Sequence, residues 1–168
     1  GDHKCKIYLL HGYLSEQELN SLYTHPKLHA YVTTTHGEGF GLPIFEAAYN
    51  GMPVLAPDWS GHVDFLYKPV KNGKGKEKNK AMFSRISYTV GPVQEFALWE
   101  GVIEKDSMWA FPEIGSIKMN MDEIHKDYGR FKKRAKELQK WIVTNFDEKT
   151  THEKMVQSIT EAGGIDAE

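Results

Sequence analysis

The apolar positions change period several times within the first sixty residues. Lys6–Leu10 is a short, partly β-branched apolar run and predicts a strand. Ser15 and Glu18 then form an S-x-x-E capping box, Leu19, Leu22 and Tyr23 follow at helical spacing, and Pro26 stops the pattern. The stretch LHAYVTT, residues 28–34, predicts a second buried strand. Pro43 suits the first turn of a helix that Gly51 can close, with Ile44, Ala47, Ala48 and Gly51 recurring at i, i+3, i+4 and i+7. That small apolar face suits packing on a sheet, and MPVLAP, residues 52–57, predicts a third strand. Alternating β and α with short connections predict a doubly wound α/β fold: a Rossmann-like three-layer α/β/α arrangement with a mainly parallel sheet.

The regularity fades after Asp64. Residues 67–85 read as a polar loop insertion, with six lysines between Lys68 and Lys80, and a strand is expected near Ile86–Val90. WEGVIEKDSMWAFPEIGS, residues 99–116, reads as aromatic and irregular. From Asp122 a long amphipathic helix is predicted, with Ile124, Tyr128, Phe131, Ala135, Leu138 and Ile142 on one stripe. A last helix over Thr151–Ala162, ended by Gly163 and Gly164, closes the domain. Residues 1–168 thus read as one domain without an internal repeat.

Composition narrows the function classes. The 168 residues are 40% hydrophobic and 26% charged, as in globular domains, and the net charge of -2 gives no molecule-wide attraction for polyanions. Any anion site has to be local. The single cysteine, Cys5, cannot form an internal disulfide, which suits a reducing cytoplasm. No apolar run reaches the roughly 18 to 20 residues of a spanning helix, and GDHKCK lacks the apolar centre of a signal peptide. Gly1 in place of an initiator Met, followed so soon by a strand pattern, suggests an excised fragment.

The densest chemical signal is THGEGFGLPIFEAAYNGMPVLA, residues 35–56. In a parallel sheet this turn falls at the carboxyl edge, where ligands bind. Gly39 and Gly41 leave backbone N–H groups uncovered, and the helix starting near Pro43 adds a positive dipole end, a combination that receives phosphate or sugar oxygens. Glu38 and Glu46 instead suit the paired hydroxyls of a ribose or hexose. At 100° per residue Glu46 points away from the Ile44, Ala47, Ala48 stripe, toward water or a partner across a cleft. Spacing alone leaves two readings open, a close-packing turn and a ligand site. A dinucleotide fingerprint is not among them, because Ile44 stands where its third glycine would be. His11, His36 and His62 fall near the same edge, either lining a pocket or held by structural hydrogen bonds, and none has zinc-like spacing. The lysine run reads as solvated and has no interleaved aromatic residue after Tyr67, which disfavours nucleic acid. Trp59, Trp99, Trp109 and Trp141 read as packing residues, Trp109 as an anchor for the final helices.

EGFGLPIFEAAYNGMPVLA resembles the E-x7-E signature of retaining, GT-B-type glycosyltransferases of the glycogen-synthase-like and sucrose-synthase-like group, with Glu38 and Glu46 as its glutamates. LLHGYLSEQELNSLYTHPKLHAYVTTTHGEGFG is similar to the region ahead of that signature. DWSGHVDFL and MWAFPEIGS resemble segments of some members, and the resemblance is strongest over residues 6–66. It implies the carboxyl-terminal half of a GT-B architecture, binding a nucleotide-diphosphate sugar as donor without a metal. By position Glu38 would touch the donor sugar, in a chemical or a positioning role. Glu46 would hold the ribose hydroxyls, and the backbone at Gly39, Phe40, Gly41 and Leu42 would approach sugar and diphosphate. The family's Arg/Lys pair for the diphosphate belongs upstream, where Lys4 and Lys6 do not substitute, and the acceptor-binding amino-terminal half is expected to be a missing partner. The fragment alone is then expected to transfer no sugar. The rival expectation is a noncatalytic nucleotide or sugar-phosphate binding module.

Overall fold

The computed structural model describes residues 5–71, 73 and 75–163. Gly1 and Lys4 at the start of the chain, Lys74 of the lysine run and Gly164 beyond the last helix lie outside them. The described residues form a mixed α/β structure with six α-helices. Its central sheet has three strands, β1 (Tyr31–Val32), β2 (Val54–Pro57) and β5 (Ser84–Ile86), in the order β1-β2-β5 and all parallel.

Strand alternation distributes β2 between two cores. Val54 and Ala56 join Ile44, Ala47 and Ala48 of α2 (Leu42–Tyr49), together with Phe65 and Leu66 of α3 (Val63–Leu66). Leu55 joins Ile86, Ile124 of α4 (Ile114–Lys126) and Phe131 of α5 (Tyr128–Asn145). The sheet is therefore covered on both faces. Helix α5 serves both clusters, since Leu138 and Ile142 belong to the first. It also satisfies the end of α2: Lys132 Nζ donates to the Gly51 carbonyl at 2.9 Å and Gln139 Nε2 to the Tyr49 carbonyl at 2.7 Å. Gly51 closes α2 with a φ of 68°.

The capping box of α1 (Glu16–Thr24) forms as expected, Ser15 Oγ accepting from the Glu18 N–H and the Glu18 carboxylate accepting from the Ser15 N–H. Other elements depart from the sequence reading. Lys6–Leu10 is not a strand: it joins no ladder, and Ile7 and Leu9 are 75% and 87% exposed. Apolar propensity makes a strand only where a neighbour supplies backbone partners and a face to bury, and this run has neither. The second strand is shorter than expected, with Tyr31 and Val32 as its ladder residues and the Thr33 N–H still reaching the Leu55 carbonyl at 3.0 Å.

Most of residues 67–85 is not a loop. β3 (Tyr67–Lys71) and β4 (Glu77–Ala81) make an antiparallel ribbon that carries Lys68 opposite Lys80, and the last two residues, Ser84 and Arg85, belong to the central sheet. A ribbon with a solvated face does not need the apolar alternation that marks a half-buried strand. The single strand expected near Ile86–Val90 is two strands. It breaks at Ser87, whose N–H is taken by Ser116 Oγ at 2.9 Å and whose carbonyl accepts from the Glu113 N–H at 2.8 Å. After this break β6 (Tyr88–Pro92) pairs antiparallel with β7 (Met108–Pro112), so the aromatic stretch contains a strand.

The long helix expected from Asp122 is also two. α4 starts at Ile114, and Asp127 separates it from α5 by turning its carboxylate to the Arg130 N–H at 3.2 Å. The first turns of α4 escaped hydrophobic periodicity because their inward residues are polar: Ser116 and Asn120 are buried, and Asn120 Nδ2 donates to the carbonyls of Arg85 and Ser116. The last helix, α6 (Glu148–Gly163), begins three residues before the expected Thr151.

Candidate functional site

The chain leaves β1 after Thr33 and runs through Thr35–Gly41 before α2 begins. Two short segments hold this turn. The first follows β2. Ser60, with a φ of 71°, accepts the Glu38 N–H on Oγ at 2.6 Å and donates the same hydroxyl to the Glu38 carbonyl at 2.8 Å; the Gly61 N–H donates to that carbonyl at 3.0 Å. Gly61 lies so close to the Gly39 carbonyl that a β-carbon there would overlap it. A serine held at positive φ is uncommon and stores strain on the order of 1–3 kcal/mol. Here it doubles the clamp on one residue of the turn.

The second segment is β7. His36 Nδ1 donates to the Ala110 carbonyl at 2.7 Å, the Ala110 N–H returns to the His36 carbonyl at 3.3 Å, and the His36 ring stacks on Trp109 at 4.9 Å with 9° between planes. Trp109 therefore supports the turn. His62, fully buried, must carry its proton on Nε2, because that atom sits 2.7 Å from the Pro57 carbonyl, which can only accept. Its Nδ1 has no partner among the described residues. Both His36 and His62 thus take structural hydrogen bonds, and His11 is exposed.

Gly41, at the N-cap of α2, has a φ of 84°, and a β-carbon there would press Ile44 Cδ1 at 3.1 Å and His62 Cβ at 3.2 Å. No side chain caps α2, so the N–H groups of Leu42 and Ile44 keep their donor capacity at the positive end of the helix. Gly39 is exposed, with open space where a β-carbon would be. Leu42 is 64% exposed. The Phe40 ring packs on Phe45 and Phe65 with centroids 5.3 and 5.1 Å away, while the residue stays 41% exposed.

Glu46 points away from the Ile44, Ala47, Ala48 stripe, part-exposed, and meets a partner across a cleft. Its Oε2 accepts the Tyr23 hydroxyl at 3.1 Å, inside a groove of about 360 Å³ between α1 and α2 lined also by Asn20, Phe45 and Tyr49. The Tyr23 and Tyr31 rings are 6.4 Å apart. Burial pushes the Tyr31 phenol above its usual pKa, and the negative charges of Glu38 and Glu46 push it further in the same direction. Burial does the same to Tyr23, reinforced by its hydrogen bond to Glu46. Glu46 is thus tied to Tyr23, whose ring sits beside Tyr31 at the base of the turn.

Sequence reasoning missed Ser60, Gly61, Tyr23 and Tyr31 as parts of the site. The Ser-Gly dipeptide was a turn signal, but nothing local says which distant backbone a turn will clamp. No hydrogen bond to residues 35–41 among the described residues comes from a lysine or arginine. Among the described residues no three His, Cys, Asp or Glu side chains group to hold a metal ion, and no helix is long and apolar enough to cross a membrane. Comparison with family models, curated proteins and solved structures found no match.

Proposed function

We propose that this chain is the nucleotide-sugar-binding half of a cytoplasmic retaining glycosyltransferase of GT-B architecture, its central sheet the core of a Rossmann-like domain. The observation that carries the reading is the glycine turn itself, clamped at Glu38 by Ser60, open at Gly39, and leading into an uncapped helix whose Glu46 lines a groove. Two carboxylates suit two sets of vicinal hydroxyls, while open N–H groups at a helix start suit the diphosphate between them. Glu46, already accepting from a hydroxyl, holds the ribose; Glu38 holds the donor hexose; the backbone from Gly39 to Leu42 receives the diphosphate. In the reaction the bond from the anomeric carbon to the diphosphate oxygen breaks and one to an acceptor hydroxyl oxygen forms. The acceptor's proton leaves with the nucleoside diphosphate.

The test is calorimetric titration of the chain with UDP, GDP and their glucose conjugates. Glu46→Ala removes a charge-assisted hydrogen bond worth about 1.5–3 kcal/mol, a weakening of roughly ten- to hundred-fold. Equal affinity in the variant and the parent chain would remove Glu46 from the site. The absence of Lys or Arg hydrogen bonds to the turn favours a second reading, a noncatalytic nucleotide or sugar-phosphate binding module. Sugar transfer that appears only when an amino-terminal acceptor half is supplied selects the enzyme; binding without transfer in that complex selects the module.

A further inference from the structure

A chain with net charge -2 has no general attraction for anions, so a concentration of cations on one surface has a local cause. Such a surface is the groove of about 720 Å³ framed by β4, β5, α4 and α5, which shares no lining residue with the glycine turn. Five basic side chains line it, Lys80, Arg85, Arg130, Lys133 and Arg134, against two acidic ones, Glu123 and Glu137. The acidic pair is already engaged. Glu123 Oε2 meets Arg130 at 3.3 Å, and Glu137 Oε1 meets Lys68 at 3.0 Å while Lys80 and Lys133 also act on it. Arg85 has Asp58 at 3.5 Å.

Arg134 is placed differently. Its guanidinium is half-buried, lies over the Phe131 ring at 5.0 Å, and shares that ring with Arg130 at 4.7 Å. Among the described residues it has no ion-pair partner, and one of its five N–H donors is used, on Ser84 Oγ at 2.9 Å. Burial, and then the like charge of Arg130, hold its pKa below the ordinary arginine value. A dianion would relieve both. Ser84 is buried, and its hydroxyl, accepting from Arg134, keeps its own hydrogen to donate.

We infer that this groove binds the phosphoryl group of a small phosphate monoester, gripped by the Arg134 fork, with the Ser84 hydroxyl donating and Lys80 and Lys133 balancing the remaining charge. A two-point grip on a tetrahedral oxyanion is what an arginine fork supplies and a lysine does not. The groove's volume is that of a small-ligand site. A nucleic-acid strand would need an exposed stacking platform, whereas Phe131, the aromatic beneath the two arginines, is 4% exposed.

The experiment titrates the full chain with inorganic phosphate and with glucose 6-phosphate, at matched ionic strength, followed by amide NMR. Saturable shifts are expected at Ser84, Ser87, Ser116 and residues 130–134. Arg134→Lys keeps the charge and loses the fork, and is expected to weaken binding about tenfold. The exposed Lys133→Gln, which leaves the core untouched, is expected to weaken it several-fold. Shifts that never saturate, shifts at Gly37–Leu42 instead, or affinity unaltered in both Arg134→Lys and Lys133→Gln would overturn the assignment. So would a single-stranded oligonucleotide that binds the same residues more tightly than glucose 6-phosphate does.

Discussion

At the scale of single residues, the glycine turn depends on a contact made from outside it. Gly61 leaves no room for a methyl group against the Gly39 carbonyl, whereas Gly39 itself looks into open space. Gly61→Ala is therefore expected to destabilise the fold by about 1–3 kcal/mol, as overpacking does, and Gly39→Ala to leave the denaturation midpoint nearly unchanged while obstructing a bound diphosphate. Urea unfolding of the two variants, beside their nucleotide affinities, checks both halves. The tyrosines give a pH dependence with a definite sign. The folded chain holds the phenolic protons of Tyr23 and Tyr31 more tightly than the unfolded chain, whose tyrosines titrate near 10. Above pH 10 the unfolded state releases protons the folded state keeps, so stability, complete below that pH, falls as pH rises. Tyr23→Phe should flatten this decline, measured as the denaturation midpoint from pH 9 to 11. At this scale the direction of Glu46, away from the apolar stripe of its helix, was legible from its helical phase. Tyr23 was not, because position 23 fits the apolar helical pattern and its hydroxyl partner lies 23 residues away.

At the scale of elements, α1 forms one wall of the Glu46 groove yet buries no residue. It is held by the capping box, by the tether from Tyr23 to Glu46 and by the packing of Tyr23 against the edge of the core. Ser15→Ala is expected to accelerate amide exchange throughout Glu16–Thr24 while leaving the global unfolding midpoint in place, since local opening of α1 exposes little of the core. Hydrogen exchange by NMR reads this directly. The contrast with α4 explains what the sequence disclosed about elements. α1, α2 and β2 announce themselves by caps, small-residue spacing and a continuous apolar run. The first turns of α4 do not, because Ser116 and Asn120 face inward to satisfy the backbone where β5 hands over to β6. A polar inward face follows from which strand end must be covered, a tertiary fact without local periodicity.

At the scale of the whole molecule, α5 joins the two cores. Phe131 lies in one and Ile142 in the other, 4% and 0% exposed, so neither face of the sheet can open without disturbing the same helix. Phe131→Ala and Ile142→Ala are each expected to cost about 2–5 kcal/mol and to shift one common transition, with far-ultraviolet and near-ultraviolet circular dichroism coinciding. Separate transitions would mean the cores are independent. The α/β class was legible because β1, α2 and β2 follow one another in β-α-β order within residues 31–57, even though the strand expected at Lys6–Leu10 did not form. The hairpin and the β6-β7 ribbon were hidden, since ribbons with solvated faces leave no apolar rhythm. One contact gives the molecule an optical property as well. The His36 ring lies flat against Trp109, 4.9 Å away with 9° between planes, and an indole's emission depends on what its face touches. The emission that Trp109 contributes, isolated as the difference between the intact chain and Trp109→Phe, changes with any ligand that lifts His36 from that face, so the glycine turn reports its own state in light.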